Sequence, residues 1–277
     1  MTTLRAATIQ MQSTPDVARN LDAAYALVGR AAREHGAQLA VLPEYFCVMG
    51  HGDEAKLAVA EADGDGAIQH ALAAMAREHK LWLVGGTLPM RTADPTHARN
   101  ACCVIAPDGT RAARYDKIHL FRYANARESY DEARTLEPGD TPTVVGARVG
   151  DREWRIGLTV CYDLRFPELY RQLADHGADI VTVPAAFTHT TGQAHWEVLL
   201  RARAIENQCF VIASAQSGKQ ENGRRTWGRS MIIDPWGEIL AQCEADGVGV
   251  AAATIDAARL DAVRSQLPAL THRRRLT

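Results

Sequence analysis

The sequence predicts an α/β fold with mixed sheets. Segments of helical periodicity alternate with short apolar runs through the first part of the chain, as strands joined by crossover helices require. Later, two turn signals (Asp108-Gly109 and Pro235-Trp236-Gly237) sit between strand-like runs, so hairpins add antiparallel pairs. Hydrophobic residues make up 47% of the 277, enough for a sizeable core.

Residues 4–10 read as a strand, and 16–35, with Leu21, Ala24, Leu27 and Ala31 at helical spacing, as an amphipathic helix. A buried strand is expected at 38–42, a helix at 66–79, and a strand at 81–88 closed by Pro89. The first hairpin pairs 100–106 with 111–115. Strand 154–160, helix 166–176, strand 180–183, helix 196–207 and strand 209–213 follow. The second hairpin pairs 230–234 with 238–243, and a last strand at 249–255 precedes a helix from Asp256. Whether one sheet or two packed sheets form does not follow from this pattern. No linker, repeat or composition shift divides the chain, so 1–277 is read as one domain.

A net charge of -2 and a pI near 6.6 argue against a nucleic-acid or membrane-surface protein, since either would favour a basic excess. The basic run from His272 to Arg275 reads as a solvated end. No apolar stretch approaches the roughly 20 residues of a membrane helix, and no secretory signal pattern opens the chain. The six cysteines form no CxxC pair and no zinc-like spacing, which suits a reducing, cytoplasmic setting without a metal.

Cys161 stands apart from the other five. It follows the strand Arg155-Ile156-Gly157-Leu158-Thr159-Val160 and precedes Phe166-Pro167-Glu168, where proline suits a first helical turn. That junction is the lip of an α/β sheet, where active sites collect. A thiol there is expected to feel helix-terminal N–H groups that favour the thiolate. The Tyr162 N–H is available to an oxyanion. By position alone a buried structural cysteine is the commoner case, so partners must decide.

His119, His189 and His195 keep a Cys–His reading open. Two other residues are better placed. Val41-Leu42-Pro43-Glu44 sets a carboxylate just past a buried strand, where an acid rarely stands unpartnered. Tyr115-Asp116-Lys117-Ile118-His119 sets a lysine at the end of a hairpin strand. Singly, each reads as an ordinary surface group; three strand-end residues together raise the catalytic reading.

These segments, Leu42-Pro43-Glu44, Lys117-Ile118-His119-Leu120-Phe121 and Cys161-Tyr162-Asp163-Leu164-Arg165-Phe166-Pro167-Glu168-Leu169, resemble the three signatures of the nitrilase (carbon–nitrogen hydrolase) superfamily. Pro184 to Thr188, Thr190 to Glu197, Arg201 to Gln208 and Ser230 to Gly237 continue the resemblance in order along nearly the whole chain. It implies a four-layer α-β-β-α sandwich with two mixed β-sheets, a homodimer or higher oligomer, and no cofactor. It also implies a triad of Glu44, Lys117 and Cys161. A second glutamate belongs to the family pattern, and Glu132-Ala133-Arg134-Thr135-Leu136-Glu137-Pro138-Gly139-Asp140 makes it Glu132; Glu128-Ser129 copies the dipeptide but lies too far from Pro138. Residues 122–127 lack the Pro-Gly of many relatives, so the loop's shape is not given by the resemblance.

The implied chemistry is amide hydrolysis. Glu44 accepts the Cys161 proton as sulfur attacks the carbonyl, and Lys117 with the Tyr162 N–H stabilises the oxyanion. Glu44 then protonates the leaving amine, expected to be ammonia, and activates water on the thioester. Glu132 holds Lys117 charged. The resemblance runs closest to the deaminated glutathione amidase branch, implying a small carboxylate-bearing α-keto-acid amide as substrate. Tyr162, Arg165, Phe187, Thr188 and Thr191 are the candidate substrate-binding residues. Arg165 reads equally well as an ion-pair partner of Glu168 or another acid, and His195 as a structural histidine at a helix start. The alternatives are an ω-amidase, an N-carbamoyl amino acid hydrolase, an aliphatic amidase, a Cys–His hydrolase, or a silent binding protein on the same fold.

Overall fold

The computed structural model describes residues 2–50, 52, 54–126, 129–221 and 223–274. Glu128 and Arg275 lie outside the described residues. The chain runs β1 (Thr3–Gln10), α1 (Val17–His35), β2 (Leu39–Val41), a short α2 (Ala55–Ala58), α3 (Ala67–His79), β3 (Trp82–Val84), β4 (Leu88–Arg91), β5 (Ala98–Ile105) and β6 (Arg111–Asp116). It continues through β7 (Arg122–Ala124), β8 (Ser129–Asp131), β9 (Val144–Val149), β10 (Arg152–Leu158), α4 (Pro167–Asp175), β11 (Ile180–Ala185) and α5 (His189–Asn207). Then come β12 (Phe210–Ala215), β13 (Ser217–Lys219), β14 (Arg225–Trp227), β15 (Met231–Ile233), β16 (Ile239–Gln242), β17 (Gly249–Asp256) and α6 (Ala257–Gln266).

Among the described residues, thirteen strands form two mixed sheets, and β7–β8 and β13–β14 form two separate two-stranded hairpins. One has the order β17-β1-β2-β3-β5-β4, with β6 paired to β5; the other has the order β16-β15-β12-β11-β10-β9. Strands β1, β2 and β3 pair in parallel, as do β10, β11 and β12. Hairpins supply the antiparallel pairs β5–β6 and β15–β16.

Period-2 alternation in the first sheet builds the layers. Leu39, Val41, Trp82, Val84, Cys102 and Val104 point inward and share one core with Trp154, Ile156 and Leu158 of the second sheet. Their neighbours Ala40, Leu83, Ala101, Cys103 and Ile105 point outward, against Ala24, Leu27 and Val28 of α1 and Ile68, Leu72 and Met75 of α3. Leu169 and Leu173 of α4 with Trp196 and Leu200 of α5 pack on the second sheet. The result is the α-β-β-α sandwich, because each sheet buries one face on the other and one face under helices.

Element ends follow local chemistry. The Asp16 carboxylate accepts the Arg19 N–H at 3.2 Å as the α1 N-cap, and Gly36 closes the helix at φ 64°. Asp256 caps α6 in the same way through the Ala258 N–H at 2.9 Å.

Three expectations need correction. The strand expected at 81–88 is two strands, since the chain turns at Gly85-Gly86, and Pro89 pairs with Asn100 inside β4. Proline is tolerated there because β4 ends the sheet order. The helix expected at 196–207 begins at His189, so Thr191 belongs to its first turn and His195 to its second. Thr190-Thr191-Gly192 is poor helix sequence; tertiary packing decides, since a Cβ on Gly192 would lie 2.3 Å from the Trp227 Cβ. The strand before Cys161 ends at Leu158, and Cys161 opens a 3-10 turn of its own.

Candidate active site

Glu44 follows β2 by a Pro-containing step and is 1% exposed. Its Oε1 accepts Lys117 Nζ at 2.8 Å and Asn100 Nδ2 at 2.9 Å, and its Oε2 accepts the Ala186 N–H at 2.9 Å. The backbone around it is equally tied. The Glu44 carbonyl accepts Gln216 Nε2 at 3.1 Å, and the next residue, Tyr45, sits at φ 55° with its N–H on Thr87 Oγ1 at 2.9 Å. Gly86, at φ 56°, lies so close that a Cβ there would meet the Pro43 carbonyl oxygen at 2.1 Å.

Lys117 leaves β6 directly inward, and its side chain is fully buried. The ammonium bridges two carboxylates, Glu44 Oε1 and Glu132 Oε2, each at 2.8 Å. Glu132 accepts further bonds from the Phe121 N–H at 2.7 Å and the Tyr45 hydroxyl at 2.8 Å. Burial alone would lower the Lys117 pKa, but the charges of Glu132 and Glu44 outweigh it and raise it above the ordinary lysine value. Burial pushes Glu132 up, yet the Lys117 charge, with help from Lys56, holds it down at about 2. Lysine and glutamate thus keep each other ionised in a site that would otherwise neutralise them.

Cys161 is buried at φ 49°, a left-handed conformation uncommon for a residue other than glycine. Burial pushes its thiol well above the ordinary range, the Glu44 charge adds to this, and the Lys117 charge opposes it. The expected pull of helix-terminal N–H groups towards a thiolate is thus opposed by desolvation and by a neighbouring carboxylate, both of which push the thiol up.

The strained turn is held from below. Asp163, fully buried, accepts the Val160 N–H at 2.8 Å and the Tyr115 hydroxyl at 2.7 Å on Oδ2. Its Oδ1 takes the His119 N–H at 3.1 Å and His119 Nδ1 at 2.7 Å. Arg203 of α5 donates twice to the Leu164 carbonyl, at 3.1 and 2.7 Å. His119 stacks on Phe166 at 3.7 Å, so its ring is engaged by Asp163 and Phe166.

A narrow pocket opens over the sulfur. Tyr162, Phe187, Thr188 and Thr191 line it together with Glu44, Glu132, Cys161, Phe121, Ala186 and Arg224. Thr188 and Thr191 share a hydroxyl hydrogen bond of 2.8 Å across the start of α5. Arg165 is not in the lining. Its guanidinium lies over the Phe187 ring at 5.2 Å and contacts His195 Nδ1 at 3.2 Å, where Glu168 or another acid was expected.

Sequence reading therefore finds Glu44, Lys117, Cys161 and Glu132, which the fold brings together, and misses Asn100, Asp163, Tyr45 and Arg224. Asp163 carried a readable signal, an acid inside the Cys161 turn segment. Asn100 and Arg224 carried none, because each reaches the site only through strand pairing or a hairpin from afar.

A carbon–nitrogen hydrolase family model matches residues 5–265. The chain is 44% identical over 272 residues to the deaminated glutathione amidase of Synechocystis, covering 97% of each chain. It is 40% identical over 272 residues to the human deaminated glutathione amidase, covering 97% of this chain and 81% of that one. Among solved structures, that of Saccharomyces cerevisiae Nit3, described as a member of branch 10 of the nitrilase superfamily, superimposes with a TM-score of 0.86 at 29% identity, covering 96% of this chain and 95% of that one.

Proposed function

Because the chain belongs to the carbon–nitrogen hydrolase family and is an amidase, we propose that it hydrolyses deaminated glutathione or a similar α-keto-acid amide through a Cys161 thioester. The observation that carries this reading is the buried Glu44–Lys117–Glu132 chain, at 2.8 Å per contact, in a pocket whose lining Cys161 shares with both glutamates.

In this reading the thiol is neutral at rest, so proton removal accompanies attack. Glu44 takes the S–H proton as the S–C bond forms, and the carbonyl oxygen becomes an oxyanion facing Lys117 Nζ and the Tyr162 N–H. The oxyanion collapses, the C–N bond breaks, and Glu44 returns its proton to the nitrogen. Water then attacks the thioester with Glu44 as base, and the acid leaves as the thiol re-forms. Glu132 touches no reacting atom; it keeps Lys117 charged and aimed.

The expected release of ammonia holds only for primary amides. Deaminated glutathione has secondary amides alone, so its leaving group is the amine of cysteinylglycine and the acid product is 2-oxoglutarate. The site's needs are unchanged, because Glu44 protonates either nitrogen.

We further read the protein as a cytoplasmic homo-oligomer. Among the described residues no helix is long and apolar enough to cross a membrane. Turnover of deaminated glutathione, followed as 2-oxoglutarate formation, tests the function. The wild type is expected to be active, Cys161→Ala inactive, and Glu44→Gln slowed about 10²- to 10⁴-fold. Equal rates in wild type and Cys161→Ala would remove the central claim. Preference for 2-oxoglutaramate would keep the triad and move the substrate to that of an ω-amidase.

A further inference from the structure

We infer that Asn100 is a positioning residue that commits Glu44 Oε2 to receiving the Cys161 proton, by filling Oε1 together with Lys117. This rests on the reading of Glu44 as the base and names the oxygen that acts.

A carboxylate offers about four in-plane acceptor sites, two on each oxygen. Glu44 Oε1 takes Lys117 Nζ at 2.8 Å and Asn100 Nδ2 at 2.9 Å, so both of its sites are in use. Oε2 takes the Ala186 N–H at 2.9 Å and keeps one. Ala186 lines the pocket together with Cys161, whereas Asn100 stands outside the lining and touches no substrate. The S–H proton therefore passes to Oε2 as sulfur attacks, and from Oε2 to the amine nitrogen as the C–N bond breaks.

The strand places Asn100 for this role. It pairs with Pro89 inside the first sheet, is buried, and its carbonyl accepts the Lys117 N–H at 3.0 Å. One residue thus holds the Lys117 backbone and the Glu44 side chain, and so sets the spacing of base and cation.

The amide's orientation points the same way. Asn100 Oδ1 is buried and meets no donor among the described residues. Turning the amide over would set that oxygen against the Glu44 carboxylate, acceptor against acceptor. A buried carbonyl without a donor weakens a fold, and an apolar side chain in its place would avoid that loss. What asparagine adds, and an apolar residue would not, is the donor on Oε1.

The test is a double-mutant cycle, run on whichever of deaminated glutathione and 2-oxoglutaramate the wild type turns over faster. Asn100→Leu is nearly isosteric and lacks the donor. Its kcat is expected to fall about 10- to 100-fold, the scale of a hydrogen bond to a charged group, with KM within about twofold. In the Glu44→Gln background the same change is expected to cost nothing further, because Asn100 acts only through Glu44. Asn100→Ala, which adds no bulk, is measured in parallel, so that either folded variant completes the cycle. An unchanged kcat, or an equal loss in both backgrounds, overturns the assignment while leaving Glu44 as the base. Failure of both variants to fold would make Asn100 a structural residue and overturn it as well. Glu44→Gln as active as wild type, or a wild type inactive on both substrates, would bring down the proposed function and the inference with it.

Discussion

The Asp163 carboxylate and the His119 ring meet at 2.7 Å, and the same carboxylate also takes the His119 and Val160 backbone N–H groups. One buried side chain thus ties the segment that follows Lys117 to the residue that precedes Cys161. Distance between the proposed nucleophile and its cation is set by this tie rather than by any contact between them.

Asp163→Asn is accordingly expected to cost about 1–3 kcal/mol of stability, since an amide cannot accept four donors. It is expected to lower kcat about tenfold or more with little change in KM, because the turn is misaligned while the pocket remains. Denaturant titration and steady-state kinetics check both. His119→Phe keeps a ring on Phe166 and is expected to retain acylation; loss of acylation in it would favour a Cys–His hydrolase.

The Glu132 pair predicts an acid-sensitive stability term. Its folded pKa, about 2, lies below the ordinary glutamate value of 4.5, so the stabilisation is complete above about 4.5 and is lost as pH falls towards 2. Glu132→Gln is therefore expected to be less stable than wild type at neutral pH, with the difference shrinking across that window. Urea midpoints measured at several pH values between neutrality and acid would reveal a constant difference if the pair were unimportant.

Lys117→Met leaves two carboxylates facing each other without their cation. A loss of about 3–5 kcal/mol is expected, together with activity below detection, and thermal melts beside the turnover assay read both. In Lys117→Met/Glu132→Gln, part of the stability is expected to return while activity does not.

A raised thiol pKa predicts that Cys161 contributes no thiolate near neutral pH. The ultraviolet thiolate absorbance of wild type minus Cys161→Ala is expected to stay flat through neutrality and rise only at pH above the ordinary thiol range, near 8.5. A thiolate signal at neutral pH would replace concerted proton transfer with a preformed ion pair.

Gly86→Ala tests how tightly the Glu44 loop is seated. The new Cβ would overlap the Pro43 carbonyl oxygen, at 2.1 Å, in a left-handed conformation. Strain and overlap together are expected to cost about 2–4 kcal/mol and to reduce kcat by displacing Glu44; a variant as stable and active as wild type would show that the loop yields freely.

The sequence by itself determined the α/β alternation, the two hairpins, and the strand-end positions of Glu44, Lys117 and Cys161, because period and turn chemistry are local. The family resemblance carried by those same segments supplied Glu132 and the paired sheets. Only the tertiary structure decided what surrounds them. Asn100 reaches Glu44 from 56 residues away in sequence, and Ala186 from 142. Arg224 enters the pocket lining on a hairpin that no alternation announces, while Arg165, four residues after the nucleophile in sequence, meets His195 outside that lining. The physical reason is the same in each case. A side chain's direction is fixed by the register and twist of strands paired across the fold, and the charge state of a buried thiol by the groups that pairing brings against it.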